Sequence, residues 1–227
     1  MKIEILGTRG KIEPSAPHYQ NYSGILIDDR ILIDIGEKKY LGKNPKLIVF
    51  THFHPDHAYF MFNKEEFTPD IPLFGPEENE LIPGLQVIEE EFSLYGYDFT
   101  PVPVIHALSL KSFGYLIEKD EKKLFITGDV AWIEKANFES FPQVDLVITE
   151  ASFINKGGRI NRKGDRIFGH TGVPNLIQLL KPVTKKIAFT HYGSWYFEDI
   201  KAGKKQIKQL SDDMELICCH DGMQIEI

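Results

Sequence analysis

The sequence predicts an α/β protein, rich in sheet, whose strands bring their C-terminal ends to one edge. Three observations lead there. Short apolar runs of strand length recur along the chain and are bounded by Gly, Pro, Asn or Asp. Apolar residues at helical spacing are confined to a few stretches, chiefly Val173–Lys181 and Phe197–Leu210. Five strand-like runs hand over directly to a residue able to ligate a metal: Asp34, His52, His106, Asp129 and His191. Strand ends gathered on one sheet edge make a natural site.

In chain order, Ile3–Leu6 reads as a strand that turns at Gly7-Thr8-Arg9-Gly10. Lys11–Asn21 carries Pro14, Pro17 and His18 and reads as a loop. Ser23–Asp28 and Ile31–Ile35 form a hairpin through Asp28-Asp29-Arg30. Lys46–Thr51 is an apolar run of the kind expected of a buried strand. Phe60–Gly84 reads as a short helix and then a connecting segment around Ile71–Phe74. Gln86–Glu90 and Tyr97–Ile105 are strands, and Phe113–Glu118 pairs with Lys122–Thr127 through Lys119-Asp120-Glu121. Asp145–Thr149 is a strand ending in Glu150. Val173–Lys181 is a helix with Pro174 in its first turn and Pro182 just past its end. Lys186–Thr190 is a strand, Phe197–Leu210 a helix, and Glu215–Cys219 with Met223–Ile227 a closing hairpin through His220-Asp221-Gly222.

The 227 residues, 42% of them apolar, suffice for one core, so residues 1–227 are expected to form a single domain. No apolar run approaches the ~20 residues that cross a bilayer, and no membrane partner is expected. Met1–Gly7 enters a strand pattern without signal-peptide anatomy. The only cysteines, Cys218 and Cys219, are neighbours that rarely bridge. A cytoplasmic location is therefore expected. A net charge of −7 argues against a broad basic face for long nucleic acid and leaves room for a small anionic substrate.

The centre of the chain is Thr51-His52-Phe53-His54-Pro55-Asp56-His57. His52 and His54 lie two apart and point the same way on an extended segment. Pro55 ends that geometry and starts a turn or helix, with Asp56 and His57 at its mouth. Imidazoles and a carboxylate converging behind a buried strand suit two adjacent divalent cations. Taken singly, His106, Asp129 and His191 are each polar residues closing a strand; together they complete the shell that His52 begins. The expected allocation is His52, His54 and His106 to one cation, Asp56, His57 and His191 to the other, and Asp129 between them. Asp34 is either an acceptor that orients a ligand histidine or a strand-end turn carboxylate.

These residues resemble the metallo-β-lactamase superfamily, whose five motifs match Asp34, the His52–His57 cluster, His106, Asp129 and His191 in order. The resemblance implies a four-layer αββα sandwich of two mixed β-sheets flanked by helices, with the metals at one edge. A finer resemblance is to the ribonuclease Z and phosphodiesterase branch. It rests on Leu6-Gly7-Thr8-Arg9-Gly10, on Asp34-Ile35-Gly36-Glu37, and on Glu150-Ala151-Ser152-Phe153 with Gly169-His170-Thr171. It implies that His170 assists proton transfer at a scissile phosphate; its plainer reading is a helix cap. Two departures stand out: Lys38-Lys39-Tyr40 replaces Gly-Thr after Glu37, and the span from His106 to Asp129 holds only a tight hairpin where ribonuclease Z carries a tRNA-gripping arm. A small-molecule or short nucleotide substrate therefore fits better than tRNA. Relatives are commonly homodimers.

The expected function is a phosphodiesterase using two divalent ions, Zn2+ foremost and Mn2+ or Fe as alternatives, with a bridging hydroxide that Asp56 orients and His170 as general acid. The alternatives are an ester, thioester or lactone hydrolase on the same metals, and a non-catalytic scaffold of the same fold. Lys156–Arg166 is either a solvated loop or a flap whose Arg159 and Arg162 meet a phosphate. Tyr192, with Trp195 and Tyr196, is either a stacking wall for a ring or core packing.

Overall fold

Alternating side chains give the strands of two facing sheets a shared buried face. A computed structural model describes residues 1–227. The first sheet is built from β1 (Lys2–Gly7), β2 (Gly24–Ile27), β3 (Ile31–Ile33), β4 (Leu47–Val49), β5 (Leu73–Gly75) and β6 (Leu85–Val87). The second follows with β7 (Phe92–Leu94), β8 (Tyr97–Val104), β9 (Ser112–Lys119), β10 (Lys122–Ile126) and β11 (Leu146–Ala151). A separate hairpin, β12 (Arg159–Lys163) and β13 (Arg166–His170), precedes α1 (Val173–Leu180) and β14 (Lys186–Tyr192). The chain closes with α2 (Ser194–Glu198), α3 (Ile200–Lys208), β15 (Glu215–Cys218) and β16 (Met223–Glu226).

The strand orders are β16-β1-β2-β3-β4-β5-β6 and β15-β14-β11-β10-β9-β8-β7. Each sheet is half antiparallel and half parallel: β3 to β6 run parallel in the first, and β10, β11, β14 and β15 in the second. All of Leu47, Ile48 and Val49 are buried, as a parallel strand covered on both faces requires. Period two sorts β2: Ile25 and Ile27 join the core between the sheets, while Leu26 turns outward to Tyr40, Phe50 and Phe60. That central core draws on both sheets, from Ile3 and Val49 to Tyr115 and Ile148.

The outer layers are unequal. Leu176, Leu180 and Ile207 from α1 and α3 pack over Val147 and Phe189 of the second sheet. The first sheet is covered by two 3-10 turns, Lys38–Lys43 and Tyr59–Met61, and a cluster of phenylalanines. Gly42, Pro55, Pro69 and Pro72 interrupt those connections before an α-helix can extend. No helix is long and apolar enough to cross a membrane.

Several elements differ from the sequence expectation. Of the turn or helix expected at Pro55, the turn forms: His57 N and Ala58 N both donate to His54 O at 2.9 Å. The connecting segment around Ile71–Phe74 contains β5. The helix expected over Phe197–Leu210 is two helices, split where Asp199 takes an extended φ of −155° and caps α3 by accepting from Ala202 N. The expected closing hairpin does not form. β15 pairs parallel with β14, and β16 pairs antiparallel with β1 in the other sheet. The link between them is fastened at Asp221, which accepts from Thr8 Oγ1, Gln20 N and Asn21 N.

Candidate metal centre and active site

The parallel strands deliver the site. His52 follows β4, Asp129 follows β10, Glu150 lies in β11 and His191 in β14. All four are buried. Two of the supporting residues hold left-handed backbone that non-glycine residues seldom adopt, Asp34 at φ 59° and His191 at φ 48°. Gly128, at φ 63°, sits where a Cβ would come within 2.9 Å of the Thr51 side chain, which lets Asp129 approach the histidine cluster.

Hydrogen bonds fix the ring orientations. Asp34 accepts from Thr51 N (2.7 Å), Thr51 Oγ1 (2.8 Å) and His57 Nδ1 (2.7 Å). With its own proton given to Asp34, Thr51 Oγ1 accepts from His52 Nδ1 at 3.0 Å. One carboxylate thus orients His57 directly and His52 through a hydroxyl. His106 Nδ1 donates to Gly169 O at 2.9 Å. In the neutral rings the Nε2 atoms of His52 and His106 are therefore bare lone pairs.

Those two atoms lie 3.1 and 3.0 Å from His54 Nδ1. His54 Nδ1 can donate to one of them at most, so another close nitrogen pair faces lone pair to lone pair. Burial, reinforced by neighbouring imidazoles, pulls His52 well below the ordinary histidine range, His54 down to about 4, and His106 down as well. Three neutral donors crowded together fit a cation between them. Asp129 supplies the complement. Its Oδ2 lies 3.7 Å from His52 Nε2 and 3.5 Å from His106 Nε2, and its Oδ1 lies 3.3 Å from His57 Nε2 and 3.5 Å from His191 Nε2. Oδ1 is buried without a hydrogen-bond partner. One oxygen faces each half of the cluster.

Asp56 completes the second half: its Oδ2 is 3.0 Å from His191 Nε2. Burial opposes its charge, but the His191 hydrogen bond and the His57 charge outweigh that and hold the carboxyl down to about 2. Ser152 Oγ lies 3.0 Å from His191 Nδ1 and 3.3 Å from His191 O, so it accepts from the ring and donates to the carbonyl. Potential ligand atoms of His52, His54, His106 and Asp129 lie within 4.8 Å of one another, and so do those of Asp56, His57 and His191. This donor set, imidazole-rich with carboxylates, fits divalent cations.

Beside the cluster, Glu150 is buried and both its oxygens are engaged. Oε1 accepts from Val130 N at 2.5 Å, and Oε2 faces His170 Nδ1 at 2.8 Å. Burial works against the His170 imidazolium, but the Glu150 carboxylate reverses this and lifts it to about 9. His170 lines a cavity of about 550 Å³ with His54, Asp56, Lys11, Arg159 and Asn161. Nδ1 is taken by Glu150, which leaves Nε2 for the cavity.

The structure brings Asp34, His52, His54, Asp56, His57, His106, Asp129, His170 and His191 together. Two sequence expectations are corrected. Tyr192 is fully buried, its hydroxyl lies 2.8 Å from Phe189 O and 3.1 Å from Cys219 O, and its ring stacks on Tyr196 at 3.8 Å, so it packs in the core and does not line the cavity. Arg162 lies two residues along β12 from Asn161's neighbour Ile160, on the strand face opposite Arg159. Arg159 and Asn161 line the site, whereas Ile160 and Arg162 line a larger cavity of about 1040 Å³ beside Trp132. Lys156–Arg166 is no loop: most of it is the hairpin β12–β13, anchored by Gly169 N donating to His106 O at 2.7 Å. Thr51, Glu150 and Ser152 were named by the sequence only as members of motifs, Thr51 at the head of the histidine stretch and the other two in Glu150-Ala151-Ser152-Phe153, without a role in the site. Glu150 also follows directly on the apolar run Leu146–Ile148 and Thr149; Asn161 and Lys11 carry no signal.

The same architecture recurs in known proteins. The metallo-β-lactamase fold protein YhfI from Bacillus subtilis superposes with a TM-score of 0.74 at 18% identity, over 99% of this chain and 98% of that one. A diphosphatase from the PhnP family superposes with a TM-score of 0.70 at 19% identity, over 100% of this chain and 97% of that one. A hydroxyacylglutathione hydrolase of Cronobacter sakazakii is 34% identical over 120 residues, 45% of this chain and 47% of that protein. The chain thus spans about half the length of that curated relative. Residues 36–192 match the model of the beta-lactamase superfamily domain, which is more than half of the chain, and with the His/Asp cluster at the sheet edge this places the protein in the metallo-β-lactamase superfamily of metal-dependent hydrolases.

Proposed function

We propose that this protein is a binuclear phosphodiesterase acting on a small or nucleotide phosphodiester, in the cytoplasm. His52, His54 and His106 would hold one divalent cation, Asp56, His57 and His191 the other, and Asp129 would give one oxygen to each; zinc suits the imidazole-rich set. When bound, such cations supply Lewis acidity, lowering the pKa of water towards about 7 and neutralising charge on phosphoryl oxygens.

The observation that carries the reading is the Glu150–His170 pair on the cavity wall. A phosphodiester with an alkoxide leaving group needs a proton as its P–O bond breaks. His170, held as imidazolium by Glu150, offers that proton from Nε2 and is left neutral with Nδ1–H still on Glu150. Asp56 presents a carboxylate to the attacking water. Arg159 and Lys11, on the cavity walls, favour an anionic substrate. The likeness to a PhnP-family diphosphatase agrees with phosphoester chemistry.

A second reading draws on the 34% identity to a hydroxyacylglutathione hydrolase: hydrolysis of an ester, thioester or lactone on the same metals. It leaves the Glu150–His170 pair without a task. Zinc-loaded protein assayed with bis-p-nitrophenyl phosphate beside thioester and lactone substrates separates the two. Turnover of the phosphodiester is expected; turnover of the carbonyl substrates alone would reject the phosphodiesterase.

A further inference from the structure

We propose that Phe62 and Tyr22, flanked by Lys11 and Arg9, form a subsite for the planar base of a nucleotide whose phosphodiester is cleaved in the adjoining cavity. This deepens the phosphodiesterase reading and rests on it. Phe62 follows the 3-10 turn Tyr59–Met61; Phe60 of that turn is buried, while Phe62 is 43% exposed. Its ring lies 5.5 Å from that of Tyr22 at 32°, so the two make a tilted aromatic surface. The Arg9 guanidinium sits 4.3 Å from the centre of Tyr22 and pins that ring in place. The Lys11 ammonium lies 5.6 Å from the centre of Phe62, and Lys11 also lines the catalytic cavity.

The rings are tied to the metal cluster through the backbone. Ser23, next to Tyr22, donates from its N to Asp56 O at 3.0 Å, and its Oγ is 3.4 Å from His57 Nε2. A single exposed aromatic is ordinary. Here a pair of aromatics, with a cation on either side, shares Lys11 with a cavity whose Lys11, Arg159 and His170 suit a phosphate. An apolar plane beside an anion pocket matches a nucleotide: the base stacks on Phe62 while Lys11 meets the phosphate. Of the residues expected from sequence to stack, Tyr192 and Tyr196 are committed to the core and Trp195 is half-buried, whereas Phe62 is among the most exposed large apolar side chains of the molecule.

The test compares two esters with one leaving group, thymidine 5′-(p-nitrophenyl phosphate) and methyl p-nitrophenyl phosphate, on zinc-loaded protein. The wild type is expected to favour the thymidine ester in kcat/KM. Phe62→Ala should lower the ratio of the two kcat/KM values about tenfold, within the range of base–aromatic stacking, and Phe62→Trp should preserve it. A ratio unchanged in Phe62→Ala, or a wild type indifferent to the nucleoside, overturns the subsite. Calorimetric titration with AMP and with ribose 5-phosphate keeps the test independent of turnover. AMP should bind about tenfold tighter to the wild type and lose that advantage in Phe62→Ala; equal affinities overturn the subsite. Failure to cleave either ester, with the AMP preference intact, refutes the phosphodiesterase and leaves the base subsite standing.

Discussion

Replacing Glu150 by Gln removes one charge from the cluster while keeping the acceptor that Val130 N needs. In the native protein the carboxylate, 2.8 Å from His170 Nδ1, overrides burial and raises the imidazolium to about 9. A raised pKa means the acid form is complete at low pH and is lost as pH rises through about 9. Without the Glu150 carboxylate, burial is opposed only by the lesser Asp129 and Asp56 charges, and the group falls towards its ordinary 6.5. At pH 8 the protonated fraction then drops from about nine-tenths to about three hundredths, roughly thirtyfold, or ~2 kcal/mol. Cations in the cage would push His170 down in both proteins alike, so the difference isolates Glu150. The assay is the pH dependence of kcat for an alkyl phosphodiester and for a p-nitrophenyl one, at matched metal content. The alkaline limb for the alkyl ester should move down by two pH units or more, roughly the gap between about 9 and 6.5. The p-nitrophenyl ester, whose leaving group departs as a stable anion, should lose little. An alkaline limb that stays in place, or equal losses for both esters, would refute the acid role.

Asp129→Asn should bind fewer metal ions by elemental analysis, because one oxygen no longer faces each half of the cluster as a carboxylate; undiminished content would remove Asp129 from between the cations. Asp34→Ala strands three buried donors, Thr51 N, Thr51 Oγ1 and His57 Nδ1. It should cost about 2–4 kcal/mol in denaturant unfolding of the metal-free protein, and 10–100-fold in metal affinity, at roughly a kilocalorie or more for each orphaned group. A loss under about 1 kcal/mol would mean that water replaces the carboxylate. Arg159→Ala should raise KM for an anionic diester several-fold while Arg162→Ala, on the other face of β12, leaves it near the native value; the reverse ranking would place the wrong face of the hairpin over the site.

The site was legible where chemistry is written in residue type and strand position together. His52, His106, Asp129 and His191 each follow or end an apolar strand; β4, β10 and β14 belong to the parallel runs of their sheets, and β8, antiparallel to both its neighbours, runs the same way as β10 and brings His106 to the same edge. What the sequence left hidden depends on pairing between distant segments. Glu215–Cys219 and Met223–Ile227 have a hairpin's local pattern, yet their partners are β14 and β1, and only the packing of two sheets decides between those arrangements. β12 is exposed and basic and β13 half-buried, and neither shows the apolar alternation that marks a strand on a core. They hold together through their own ladder and the backbone of His106. Because that hairpin belongs to neither large sheet, its register alone decides which arginine meets the cavity, and a shift of one residue would exchange Arg159 and Asn161 for Ile160 and Arg162. Tyr192 shows the same limit from the other side. Its neighbour His191, at φ 48°, brings its imidazole to the His/Asp cluster, while the Tyr192 ring lies in the core. What separates a ligand from a core residue here is the face of β14 that each side chain takes, and adjacent positions of a strand take opposite faces whatever their residue type.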